Sequence, residues 1–209
     1  LITISDSWGI NLNIFILPVS FFVLVGISNS VNLTDGLDGL AAGCSGIVFY
    51  GLGTEILLKE QQELFVFSIL CFAMSGICLG FLKYNVYPAK IFMGDSGSIF
   101  LGYIIGLYSL YFLSINRIDI MITLICYPFM DCSLTIIRKM LDGKYPWERL
   151  FDYNFLKPVK LYNKSHSYVL KYFIIYNLGL TINLSLQIFY ELKYFFILSI
   201  VYTLILINF

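Results

Sequence analysis

The chain alternates long apolar runs with short polar breaks. A helix that crosses a bilayer takes roughly 20 mostly apolar residues. Seven stretches are candidates: 12–31, 39–58, 64–82, 97–115, 118–137, 168–190 and 194–209. Charge collects between them, at Lys59 to Glu63, Lys83 to Asp95, Asn116 to Asp119, Arg138 to Ser167 and Glu191 to Lys193. No internal repeat or low-complexity linker divides the chain. The pattern predicts an all-α fold: a polytopic integral membrane helix bundle, a single membrane domain over 1–209 with about seven transmembrane helices.

Composition agrees with the pattern. The 209 residues are 59% hydrophobic and 12% charged, with a mean hydropathy of +0.84. A soluble domain carries about a quarter charged residues. The formal net charge is zero, so no basic surplus points to nucleic acid. Cys44, Cys71, Cys78, Cys126 and Cys132 all lie in apolar runs without a CxxC pair, and read as small buried hydrophobes. Residue 1 is leucine and no basic leader precedes the first apolar run. The chain therefore reads as a fragment that begins inside a longer protein, without a signal peptide.

Basic residues set the sidedness. Lys83, Lys90, Arg138, Lys139, Lys144, Arg149, Lys157, Lys160 and Lys164 follow the first, third and fifth spans. Lys59, Arg117 and Lys193 follow the second, fourth and sixth. Nine against three puts the first set in the cytoplasm. Two polar strings, NSVNLTDGLDGLAAG at 29–43 and YPAKIFMGDSGSIFLG at 87–102, then share that face with the basic loop 138–167. Three loops are predicted to converge on one site supplied with soluble cytoplasmic substrate.

In the first string Asn29, Asn32, Asp35 and Asp38 recur every three residues, a spacing that shares one helix face. Gly36 and Gly39 let the backbone turn or approach a ligand closely. Amides beside carboxylates suit a sugar or base edge plus a cation. A helix C-terminus followed by a solvated polar turn is the plainer alternative. In the second string, Ser96 or Ser98 is placed to cap the next helix, whose free N–H groups would then form an anion site. Asp95 beside them suits Mg²⁺ held on phosphate oxygens; a capping aspartate is the plainer reading. GDSG also occurs around the nucleophile of chymotrypsin-like proteases, but here it lies between membrane spans without strand alternation. The basic loop holds seven Lys or Arg, together with Trp147, Tyr153 and the sole histidine, His166. It suits an anionic substrate or acidic lipid headgroups, with His166 either near phosphate or a plain surface residue. Asp131 either pairs inside the bundle or marks its inner mouth.

Together the two strings resemble the polyprenyl-phosphate N-acetylhexosamine-1-phosphate transferase superfamily, and Pro128 to Arg138 is similar to the PxxD…R stretch of its O-antigen and teichoic-acid branch. The resemblance implies transfer of an N-acetylhexosamine-type sugar-1-phosphate from a UDP-amino sugar to polyprenyl (undecaprenyl) phosphate. UMP is released, and the product begins a cell-surface glycan. It implies a multi-pass protein of the bacterial inner membrane, with its active site facing the cytoplasm and a homodimer allowed. It implies Mg²⁺, with Mn²⁺ as substitute, on Asp95. Asp95, Asp35, Asp38 and His166 would be the catalytic set. Asn29, Asn32, Asp35, Asn85, Phe92 and Gly94 would hold the nucleotide, Phe92 by stacking on uracil.

Two features depart from the family pattern. No adjacent aspartate pair occurs in the chain, so the family's earlier spans and their aspartates are expected upstream of Leu1, leaving the C-terminal two-thirds of a larger transferase. The last loop has one histidine where pentapeptide transferases carry several, which favours the O-antigen branch. A non-catalytic remnant or membrane scaffold is the alternative function. An ion-coupled transporter is a further one, disfavoured because the acids sit at one edge and no repeat is visible.

Overall fold

The computed structural model describes residues 16–58, 65–115, 117–145, 153–190 and 193–208. Those residues are all helical or loop. The helices are α1 (Ile16–Thr34), α2 (Leu40–Leu58), α3 (Phe65–Asn85), α4 (Gly94–Ser114), α5 (Ile118–Leu141), α6 (Lys157–Tyr162), α7 (His166–Phe189) and α8 (Phe196–Asn208). Five of them, α1 to α4 and α7, are long and apolar enough to cross a bilayer. α5 makes a sixth candidate, bent by 62° between Cys126 and Phe129.

The expected seventh span is shorter than the pattern suggested. α8 has 13 residues, about 20 Å at 1.5 Å per residue, against a hydrocarbon core of about 30 Å. It is held instead by polar side chains. Gln187 Nε2 of α7 donates to Thr123 Oγ1 of α5 at 2.9 Å, and Ser199 Oγ of α8 donates to the same oxygen at 3.3 Å. Asn183 Nδ2 donates to Phe195 O at 3.0 Å and to Ser199 Oγ. Inside an apolar bundle such groups satisfy one another across helices.

α2 packs along α3 and α1 along α4, while α7 lies on α2, and α5 joins α1, α4 and α8. One core combines Ile27, Val31, Phe49, Leu52, Leu101, Ile105 and Leu184. The α1–α4 contact is close because Gly102 faces the other backbone: a Cβ there would lie 2.6 Å from Ser28 Cα. Outward-facing Phe21, Phe22, Val66, Leu70, Ile77, Ile175 and Ile182 present the apolar surface a bilayer requires.

A second core sits at one end of the bundle. Leu37 and Leu40, which flank the first acidic turn, pack with Phe155 of the basic loop and with Val169, Leu170 and Phe173 of α7. That cluster sets the floor of the candidate site. The basic loop is shorter than its charges implied, because α5 runs on to Leu141 and α7 starts at His166. Trp147 and Arg149 lie outside the described residues.

Candidate functional site

α1 ends at Thr34, so the four residues spaced by three do not share one helix. Asn29 and Asn32 ride on its last turns, while Asp35 and Asp38 stand in the turn before α2. Asn29 is exposed and donates from Nδ2 to Val25 O at 2.8 Å. Three bonds fasten the first string to the end of α3 and to the second string. Gly39 N–H donates to Asn85 Oδ1 at 3.0 Å. Ala89 N–H donates to Asp38 Oδ2 at 3.0 Å. Ser98 Oγ donates to Asn32 Oδ1 at 2.6 Å. Both strings therefore lie at the same end of the bundle.

Neither serine caps α4. The residue preceding that helix is Met93, with no side-chain cap bond. Ser98 is buried inside the first turns and donates to Gly94 O at 2.9 Å as well as to Asn32. Asp95 is not a cap either: it is exposed in the first turn. The opening of α4 thus leaves N–H groups and a carboxylate toward solvent, where helix geometry favours anions. Gly94 takes φ +65°, a left-handed conformation that costs other residues about 1–2 kcal/mol. Its N–H bonds the Asp35 carboxylate.

Burial raises the Asp35 carboxyl to about 6; the Gly94 N–H pulls the other way, and the nearby negative charges of Asp38 and Asp95 add to the rise. Asp38 in the same turn and Asp95 at the start of α4 thus both lie near enough for their charge to act on Asp35. A divalent cation is what such crowding accommodates. Among the described residues no group of three or more His, Cys, Asp or Glu forms a ready metal cage. One or two carboxylates is also the number that Mg²⁺ takes beside substrate phosphates, and exposed Asp95 with half-buried Asp35 are the residues present for it.

Asn85 lies at the end of α3, between the two strings. It is only 2% exposed, and while Oδ1 takes the Gly39 N–H, Nδ2 donates to Ile91 O at 3.0 Å. Its amide ties the first acidic turn to the backbone at Ile91. Phe92, one residue beyond Ile91, is 73% exposed and offers a free aromatic face.

The basic loop joins from the third side. The His166 ring lies against Tyr87 of the second string, centroids 4.6 Å apart, and its Nδ1 is enclosed with no hydrogen-bond partner among the described residues. Ser165 caps α7 by accepting from Tyr168 N–H at 3.2 Å. Phe155 closes the back of the first turn, its ring 3.5 Å from where a Cβ on Gly36 would stand. Asp131 resolves toward the bundle interior: it is 2% exposed and accepts from Asn154 Nδ2, whose Oδ1 in turn accepts from Arg138 Nη1. Sequence reasoning missed Asn154, Phe155 and Tyr87. No spacing marks them; each acts through a contact made only after the loops converge.

The structure thus defines a helical bundle with five or six helices able to cross a membrane, which brings two aspartate-bearing strings and the basic loop to one end. The family model "Glycosyl transferase family 4" matches residues 2–113, and the chain belongs to that family. It is similar to two proteins of Prochlorococcus marinus named phospho-N-acetylmuramoyl-pentapeptide-transferase. In strain MIT 9301 the identity is 81% over 120 residues, covering 57% of this chain and 34% of that protein. In strain MIT 9215 it is 81% over 110 residues, covering 53% and 31%. A protein of the same name from Thermodesulfovibrio yellowstonii is 42% identical over 155 residues, covering 66% of this chain and 42% of that protein. The chain thus spans about a third to two-fifths of the length of these relatives. Their names do not support the O-antigen and teichoic-acid branch that the last loop suggested.

Proposed function

We propose that the protein transfers a sugar-1-phosphate from a UDP-linked N-acetylhexosamine to polyprenyl phosphate at the cytoplasmic face of a bacterial inner membrane. The observation that carries this reading is the meeting of Asp35, Asp38 and Asp95 at one end of an apolar bundle, beside an open helix N-terminus. A site at the membrane edge lets a lipid tail remain in hydrocarbon while its phosphate meets a soluble nucleotide. Family membership and the names of the relatives support the same chemistry.

In this reading an oxygen of the lipid phosphate attacks the β-phosphorus of the UDP-sugar. A new P–O bond forms there, the bond to the bridging oxygen breaks, and UMP leaves with that oxygen. Such transfers ask the protein chiefly for positioning and charge neutralisation. Asp95 and Asp35 are the residues that would hold Mg²⁺, which when bound neutralises the diphosphate and the departing UMP. Phe92 stacks on uracil, and Asn29, Asn32 and Gly94 line the nucleotide side. Asp38 fixes the loop through Ala89 N–H. His166, at the N-terminus of α7, faces the phosphates with the positive end of that helix behind it.

The relatives' names favour an N-acetylmuramoyl-pentapeptide donor, and the single histidine of the last loop favours a plain N-acetylhexosamine. The test supplies the complete gene product in detergent with polyprenyl phosphate and either UDP-N-acetylmuramoyl-pentapeptide or UDP-N-acetylglucosamine. UMP release with one donor is expected. Absence of UMP with both, from protein that remains folded, refutes the transfer.

A further inference from the structure

The start of α7 meets the second string at a ring contact. The His166 imidazole lies against the Tyr87 ring, with centroids 4.6 Å apart and planes tilted by 45°. The backbones on both sides of this contact are fixed. Around Tyr87, Val86 N–H donates to Leu82 O at 3.0 Å, Ala89 N–H to Asp38 Oδ2 at 3.0 Å and Lys90 N–H to Tyr84 O at 2.8 Å. His166 opens α7 behind its Ser165 cap. Leu170, four residues on, shares that helix face. It closes on the acidic turn together with the residue before Tyr87: a Cβ on Gly39 would lie 3.2 Å from Leu170 Cδ2 and 3.7 Å from Val86 Cα. The ring contact is therefore one rung of two, and the other rung stands next to Asp38.

The two nitrogens of the imidazole are unequal. Nδ1 is enclosed and has no hydrogen-bond partner among the described residues, which leaves Nε2 as the open nitrogen of the ring. A proton on Nδ1 would be buried without an acceptor, so the neutral ring carries its proton on Nε2. With the backbone fixed, the freedom that remains is in the side-chain torsions, and the outer torsion of an imidazole is broad unless contacts restrict it. We infer that Tyr87 is a positioning residue for His166: its ring keeps Nδ1 shut away and presents Nε2–H as the donor to substrate phosphate. The inference rests on the transfer reading above and deepens it, by assigning the donor atom and the residue that aims it. Tyr87 is 49% exposed, so what it contributes is this contact and not core packing.

The test is nitrogen NMR of the complete gene product in detergent, isotope-labelled at its histidine rings, at about pH 8, where ordinary imidazoles are neutral. The signals lost in His166→Gln belong to His166. The proton is expected on Nε2, and Mg²⁺ with UDP is expected to shift Nε2 while Nδ1 stays in place. Tyr87→Phe is expected to keep this pattern, and Tyr87→Ala to let both nitrogens respond. A proton on Nδ1 overturns the inference. So does a parental response at Nδ1 or at neither nitrogen, and so do parental signals in Tyr87→Ala. An aromatic contact of this kind is worth about threefold to tenfold. Tyr87→Ala is therefore expected to lower kcat for UMP release by that factor, with both KM values changed less than about twofold. In the His166→Gln background the same change is expected to cost nothing more. An equal loss there marks a structural role and overturns the positioning. The expected His166 signals without UMP release from either donor sink the transfer reading alone.

Discussion

Replacing Asn85 with alanine removes a side chain that bonds backbone on both acidic strings. Its Oδ1 receives the Gly39 N–H and its Nδ2 reaches Ile91 O, each at 3.0 Å. The two losses are unequal. Gly39 is buried, so its N–H is left without water, at a cost of about 1–3 kcal/mol. Ile91 is 50% exposed, so water replaces much of the bond to its carbonyl, for about 0.5 kcal/mol. The expected total is about 1.5–3.5 kcal/mol. Gly39 also sits at φ +79°, so the turn it anchors has no relaxed alternative close by. Equilibrium unfolding in mixed micelles, titrated with SDS, measures the loss. UDP binding by calorimetry on the folded fraction is expected to weaken as well, because the segment carrying Phe92 loosens. A loss below about 0.5 kcal/mol with unchanged UDP affinity would refute the view that this amide holds the two strings together.

Three other substitutions probe separate links. Asp38→Asn removes a negative charge that helps raise Asp35 to about 6. Cation binding needs Asp35 ionised and so falls as pH drops through about 6 in the parent. The variant's acid limb is expected at lower pH, and a limb at higher pH contradicts the assignment. Gly102→Ala places a Cβ 2.6 Å from Ser28 Cα, which forces α1 from α4 and is expected to cost about 1–3 kcal/mol in SDS-titrated unfolding; a neutral result means the helices are not that close. Asn154→Ala strips the bridge between Asp131 and Arg138. A loss of about 2–4 kcal/mol is expected, and a double-mutant cycle with Asp131→Asn should be strongly non-additive.

Much of the fold could be read from hydropathy alone, because span ends coincide with charge. α2, α3 and α4 begin and end within three residues of the apolar limits. α1 continues three residues beyond its apolar run, since Asn32 to Thr34 cost a helix little when Thr34 Oγ1 can bond Val31 O. α8 looked like a span because its residues are apolar, yet helix length in the described chain falls short of the bilayer. The convergence of three loops followed from the lysines and arginines. What the sequence did not carry was the division of labour inside the site. Asn85 and Asn32 are the same residue type near the ends of apolar runs, and only packing makes Asn85 a buried strut. Asn154 stands in a basic loop with nothing in its neighbours to announce that it bridges Asp131 and Arg138.

The most direct test of the central claim is Mn²⁺ binding followed by electron paramagnetic resonance in the complete gene product, with and without UDP. If Asp35 and Asp95 hold one cation against a diphosphate, the parent binds a single Mn²⁺ more tightly with UDP present. Asp35→Asn and Asp95→Asn each abolish that UDP-dependent site while the protein stays folded. Retention of the site at parental affinity in either variant would contradict the account.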